Sequence, residues 1–237
     1  MLLAFFLLIL PVFGESQETS GTIIYDVKVN MHMQLTGDRE RFKEFIPEYR
    51  TTPYELIFNE EKSVYRFYED PNEVVDSRGR GGFRMRFMGA GSTVFRDFEE
   101  NSKVEQREFM GKNFVITGNL DQAGWKVTGE AAQIAGYPCL KAELQDTTNN
   151  RMLTAWFTPQ VGVPTGPDTY AQLPGLVLQV ESDDNSLTIT PREIKWGEVN
   201  EKALDAPGKG KEVTEEEYRD IVRQAMENMR AQRGDRG

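Results

Sequence analysis

Apolar and polar residues alternate with a period of two along much of this chain. From Gly21 to Met33, Ile23, Tyr25, Val27, Val29 and Met31 interleave with Thr22, Ile24, Asp26, Lys28 and Asn30. That pattern predicts a strand with one face on a core and a mostly polar opposite face. Tyr54 to Tyr68 reads as two strands, YELIFN and SVYRFY, around Glu60-Glu61-Lys62, and Val94 to Ile116 holds a hairpin about Glu100-Asn101-Ser102. Short strands continue at Trp125–Val127, Tyr137–Gln145 and Met152–Phe157. LVLQVES and SLTITPREIKW then pair across the polar turn Asp183-Asp184-Asn185.

Two stretches depart from that period. Gly37 to Tyr49 spaces Phe42, Phe45 and Ile46 by three and four, which predicts a short helix bounded by Pro47 and Pro53. Near the end, Thr214 and Glu217 form a capping-box pattern. It opens a helix through about Arg230 whose apolar positions, from Tyr218 to Met229, recur at helical steps. The helix is expected to cover its own sheet. The fold class expected is mainly β with some α: a curved antiparallel sheet or half-barrel of short strands, one short N-terminal helix and a C-terminal amphipathic helix. Residues 15–205 form the β domain, and 206–237 the linker and final helix.

Residues 1–14 form a third segment. Leu2 to Phe13 is apolar throughout and the first charge is Glu15. That length suits a signal-peptide core and falls short of the roughly twenty residues a membrane helix needs. Export to the periplasm or cell envelope is therefore expected, and after cleavage no integral membrane span. The 28 basic and 38 acidic side chains give a formal charge of −10, which argues against nucleic acid as the partner. Cys139 is the sole cysteine, so stability must come from the core without an internal disulfide.

Several ordered blocks resemble the GLPGLI family of exported Bacteroidetes proteins. Trp125-Lys126-Val127 through Ile134-Ala135-Gly136-Tyr137-Pro138-Cys139-Leu140-Lys141-Ala142 is similar to its "W-x-I … I-x-G-Y-x-C-x-K-A" block, and Ala155-Trp156-Phe157-Thr158-Pro159 to its "W-Y/F-T-P" segment. Gly166-Pro167 and Leu173-Pro174-Gly175-Leu176-Val177-Leu178 resemble the naming signature, with Gln172 and Val177 as departures. Ala206-Pro207 and Lys209-Gly210-Lys211-Glu212-Val213-Thr214 resemble the run before its last helix. The resemblance implies an envelope location and a β-rich fold, and it implies no activity.

Physically, Pro174-Gly175 is a turn pair, and Leu173 and Leu176 are expected to tuck inward. Pro159, Pro164 and Pro167 stiffen the preceding loop. A shaped loop beside a sheet can line a ligand site. The candidate ligand-binding set is Trp156, Phe157, Tyr170, Leu173, Pro174, Gly175 and Leu176, whose plainer role is core and turn scaffold.

Catalytic signatures are sparse. His32 is the sole histidine, so there is no HExxH site and no triad without it. No GxSxG elbow or phosphate-binding loop is present. A Cys139–His32 thiolate pair competes with the commoner role of cysteine as a small buried hydrophobe. Met31, His32 and Met33 are soft ligands suited to copper, with Met85, Met88 and Met110 as further sulfurs. A continuous strand would set His32 on the opposite face from its neighbours. Arg78, Arg80, Arg84 and Arg86 form a basic loop that, outside the cytosol, suits an anionic glycan, lipopolysaccharide or an acidic partner. The first expectation is a non-catalytic binding or accessory module for an apolar small molecule or an envelope protein. The alternatives are a copper-binding protein and a carboxylate-based hydrolase.

Overall fold

The computed structural model describes residues 18–35, 37–70, 92–120 and 124–234. The expected signal segment, residues 1–14, and the arginine-rich stretch 77–91 with Met85 and Met88 lie outside them. The protein is mainly β. Twelve strands form one open sheet: β1 Gly21–Asn30, β2 Tyr49–Phe58, β3 Lys62–Phe67, β4 Thr93–Asp97, β5 Ser102–Phe109, β6 Lys112–Asn119, β7 Lys126–Ile134, β8 Tyr137–Asp146, β9 Arg151–Thr158, β10 Leu176–Ser182, β11 Leu187–Trp196 and β12 Lys211–Thr214. Their order is β12-β6-β5-β4-β3-β2-β1-β11-β10-β9-β8-β7. β1 is thus central, with an antiparallel meander on each flank. Among the described strands, only β12 pairs parallel, on β6.

Alternation explains the burial. On one face, Ile23 and Tyr25 of β1 meet Leu56 and Phe58 of β2, Tyr65 of β3 and Val94 of β4. The same core continues through Val180, Ala155, Phe157 and Ala142 on the other flank. The intervening residues Ile57, Val64 and Phe95 point to the opposite face, where Leu204 from the 3-10 turn Glu201–Leu204 covers them. α1, Glu215–Gly234, follows β12 directly. Its capping box is formed: Thr214 N donates to Glu217 Oε2 at 2.8 Å and Glu217 N to Thr214 Oγ1 at 3.2 Å. Tyr218 and Ile221 pack on Phe109 and Phe114, as expected of a helix covering its own sheet.

Three boundaries differ from the sequence reading. β1 stops at Asn30, because the Asn30 side-chain oxygen accepts from the His32 and Met33 amides at 3.0 and 3.3 Å and turns the chain into a 3-10 turn, His32–Gln34. The expected helix is a 3-10 segment, Gly37–Phe45, and β2 begins at Tyr49 with Pro53 inside it. Pro53 is tolerated because its nitrogen faces β3's side of the sheet, as does its carbonyl, which accepts from Tyr68 N beyond the end of β3. The expected linker also contributes a strand, β12.

The long β9–β10 connection, residues 159–175, returns across the core face. Val161, Val163 and Leu173 bury themselves there. Its far bend is held from β3 and β4: Thr165 Oγ1 donates to Ser63 Oγ at 2.9 Å, and the Arg96 guanidinium donates to the carbonyls of Gly166, at 3.5 Å, and Asp168. From the opposite flank, Trp125 Nε1 donates to Ala171 O at 3.1 Å. Arg96 is 2% exposed. Burial lowers its pKa to about 10, so it stays charged at neutral pH. Replacing it with an apolar isostere leaves two carbonyls unanswered in the core. Arg96→Met is expected to lower the unfolding free energy in urea titration by about 3 kcal/mol.

Candidate functional site

Where the 159–175 segment leaves the sheet uncovered, a cavity of about 490 Å³ remains. Its floor is aliphatic. Val27 pairs with Ile189 and Val29 with Leu187 on alternate rungs of β1 and β11, and all four line it. One wall is aromatic. Tyr54 and Tyr65 are diagonal neighbours on β2 and β3 and stack with centroids 5.1 Å apart and planes within 6°. Tyr65 is buried, and no described residue hydrogen-bonds its hydroxyl. The remaining walls come from connections: Asp168 and Tyr170 from the crossing segment, Asn149 and Arg151 from the β8–β9 turn, Asp184 and Ser186 from the β10–β11 turn.

The rim is locked by its own hydrogen bonds. Arg151 reaches Asp146 Oδ2 through Nε at 3.1 Å and Ser186 Oγ through Nη1 at 2.6 Å, and it also donates to the Tyr170 phenol. Asp184 accepts from the amide and hydroxyl of Ser186 at 2.9 and 2.6 Å. Burial raises its pKa, but the bonds from Ser186 and Ser182, with the Arg151 charge, outweigh that and leave it lowered. Asp168 behaves in the opposite way. Burial pushes its carboxyl above the ordinary range, while Arg107, Arg96 and Lys103 oppose the shift and Glu105 reinforces it. No described side chain hydrogen-bonds that carboxyl. The residue sits at φ +49°, a region Asp and Asn tolerate. Burial and the Asp168 charge together push the Tyr170 phenol up to about 12.

Of the residues singled out in the sequence, Tyr170 and Met33 line this cavity. Phe157, Leu173 and Leu176 are buried in the main core, with Trp156 packed against it. Pro174 is exposed. Gly175 is buried at φ +150°, where an added Cβ would lie 2.2 Å from Thr158 O. Its amide donates to Leu173 O at 2.7 Å, a turn tighter than the four-residue one expected. Met31, His32 and Met33 sit past the strand end, so strand alternation no longer separates them. His32 Nε2 engages Ile46 O at 2.7 Å. Among the described residues no three His, Cys, Asp or Glu side chains gather as a metal site. Cys139 lies in the β8 core, its thiol pushed up to about 11 by burial.

Sequence reasoning passed over Asp168, Arg151, Tyr54 and Tyr65, and read Asp184 as a residue of a hairpin turn. Asp168 carried a faint signal, as an acid inside an otherwise Pro- and Gly-stiffened loop. Tyr54 and Tyr65 were legible only as strand positions.

Residues 143–179 match the family model described as a protein of unknown function, Porph_ging. That match spans the Trp156–Pro159 and Leu173–Leu178 motifs, and it is compatible with the GLPGLI resemblance. The chain is also similar to two crystal forms of PNGF-II, at TM-scores of 0.57 and 0.58 and 17% identity. The alignments cover 86% of this chain but 33% and 32% of those chains, so this chain spans about a third of their length. At that identity the likeness is one of fold. No curated protein matches. Among the described residues no helix is long and apolar enough to cross a membrane.

The Asp168 shift carries a pH consequence. A raised carboxyl pKa means that the folded chain holds its proton to higher pH than the unfolded chain. Between the ordinary Asp range and the raised value the folded state binds more protons, so stability falls as pH rises through that window. Asp168→Asn removes the titrating group. In thermal melts across acid to neutral pH, the variant is expected to show a flatter profile there and to exceed the wild type above it.

Proposed function

We propose that this protein is an exported envelope binding module that holds a small ligand in the cavity beside the crossing segment, without chemistry of its own. The observation that carries this reading is a rim fixed in advance by internal hydrogen bonds, around a carboxyl at Asp168 and a hydroxyl at Tyr65 that no described side chain engages. Preorganised walls with a few free polar groups over an apolar floor are what a small-molecule site needs. The export element rests on the apolar run Leu2–Phe13.

Chain connectivity supports a curved sheet around this site. β6 and β7 lie ten strand steps apart in the sheet order, about 48 Å if flat. The chain between Asn119 and Lys126 reaches at most about 25 Å. The sheet therefore curls, and its concave side is the face that the crossing segment fills. The mixed lining also moves the expected ligand from purely apolar to amphipathic.

Native mass spectrometry of protein purified from its own envelope tests the reading. The expected spectrum carries a mass above the polypeptide that is lost on denaturation. Val29→Trp, which fills the floor at a partly exposed strand position, is expected to arrive bare while melting as the wild type does. A bare wild type would defeat the proposal.

A second reading rests on Asp168 and Asp184 lining one cavity with their pKa values displaced in opposite directions. Such divergence is a pattern of acid and base partners in carboxylate hydrolases. Incubating the recovered ligand with fresh protein separates the two. An intact ligand supports binding alone. Fragments formed by the wild type and not by Asp168→Asn support hydrolysis.

A further inference from the structure

Eight large apolar side chains stand exposed among the described residues, and half of them fall between positions 33 and 49: Met33, Phe42, Phe45 and Tyr49. Phe45 is 80% exposed, although burying a phenylalanine stabilises by about 1.5–3 kcal/mol. This stretch reaches the cavity through Met33. The end of β1 is stitched to residues 46–48 by three bonds: His32 Nε2 to Ile46 O at 2.7 Å, Met31 N to Glu48 O at 2.7 Å, and Asn30 Nδ2 to Glu48 Oε1 at 3.2 Å. Met33 and Phe45 are each next in sequence to a residue of the His32–Ile46 contact. Met33 also lines the cavity. The aliphatic floor thus runs from the Val27–Ile189 rung to the Val29–Leu187 rung and out onto exposed Met33, with exposed Phe45 one residue from the His32–Ile46 bond.

The polar groups of the lining select a head. Arg151 is the cation among the described lining residues, and it is already engaged by Asp146, Ser186 and Tyr170. A carboxylate head would meet Asp168 and Asp184 with no free positive partner among the described lining residues, at a large desolvation cost. A head that donates hydrogen bonds meets the Asp168 carboxyl, which no described side chain engages.

We infer that the ligand is a single-chain amphiphile. Its head donates hydrogen bonds and carries no net negative charge, and its chain lies along Val29 and Leu187 and leaves over Met33 and Phe45. This rests on the cavity being a ligand site, as proposed above, and adds the class of ligand.

Calorimetric titration of the full chain with monoacylglycerols of six to twelve carbons, each below its micelle concentration, tests it, with laurate as the anionic control. Affinity is expected to rise roughly fourfold per added methylene over the buried part of the chain. Laurate is expected to bind at least about tenfold more weakly than the glyceryl ester. The double variant Met33→Glu/Phe45→Glu, both positions exposed, is expected to keep the wild-type melting curve and to lose the chain-length dependence. Binding that ignores chain length, or equal affinity for laurate, overturns the inference and leaves the cavity as a ligand site. If no probe binds, yet Val29→Trp releases the native ligand, the amphiphile class is wrong and the binding reading stands. If Val29→Trp releases nothing, both fall.

Discussion

A charged guanidinium set in a dry core must be answered by nearby oxygen atoms, and the placement of Arg96 satisfies that demand with two main-chain carbonyls. The donors leave β4 on the core face and meet Gly166 and Asp168 at the far bend of the 159–175 segment. That segment is anchored at its ends in β9 and β10, on the other flank of the central strand. One side chain thus ties the two meanders together through a loop that belongs to neither sheet edge. Close approach makes the arrangement stricter still. A Cβ at Gly166 would lie 2.2 Å from Tyr170 O and 2.7 Å from the Val177 side chain. Where the loop runs, and hence where Asp168 and Tyr170 project, follows from these contacts.

The cavity is what this covering leaves open. The loop's apolar residues, Val161, Val163 and Leu173, seal the core nearer β9 and β10, and the rungs of β1 and β11 nearest Asn30 stay uncovered. Turns that exist to reverse strands then serve as walls. Asp184 caps its own turn through Ser186, and Arg151 links that turn to Asp146 beside it. Hydrogen bonding that stabilises the turns also fixes the rim. The same arrangement makes the environments of the two acids differ. Asp184 has donors of its own at an exposed turn, whereas Asp168 is enclosed among phenols and depends on more distant cations.

Most strands were legible, because each buries one face and so repeats with period two. Gly21 to Asn30, both strands of the β2–β3 hairpin and the strands around Asp183–Asn185 follow that rule, and the Thr214–Glu217 box marked the helix start. The failures have local causes. Asn30 ended β1 through its side chain, a competition that hydrophobic periodicity does not register. Lys112–Asn119 and Lys211–Thr214 pair in parallel across about a hundred residues, a separation that no local pattern encodes. The binding set read from the signature was placed by its conspicuous Trp, Pro and Gly residues, and most of those form core or turn. Tyr170 was the exception, because it lies at the far bend where the loop faces open space. Tyr54 and Tyr65 join the site through a diagonal contact between strands, and Asp184 and Arg151 through the juxtaposition of separate turns. Such relations appear only once the strand order is set.

The parallel pairing of β12 with β6 also orders events in time. During synthesis β6 is complete about ninety residues before β12 is made, and until then it is a bare edge with unanswered amides and carbonyls. An uncovered edge invites pairing with another chain. The four residues of β12 then pair with the middle of that edge, Phe114 to Thr117, and α1 lays Tyr218 over Phe114 directly afterwards. The β12–α1 segment therefore acts as a late cover: until it is made, the eight-residue edge of β6 stays open, and afterwards the margin on that flank is the four-residue β12 backed by a helix.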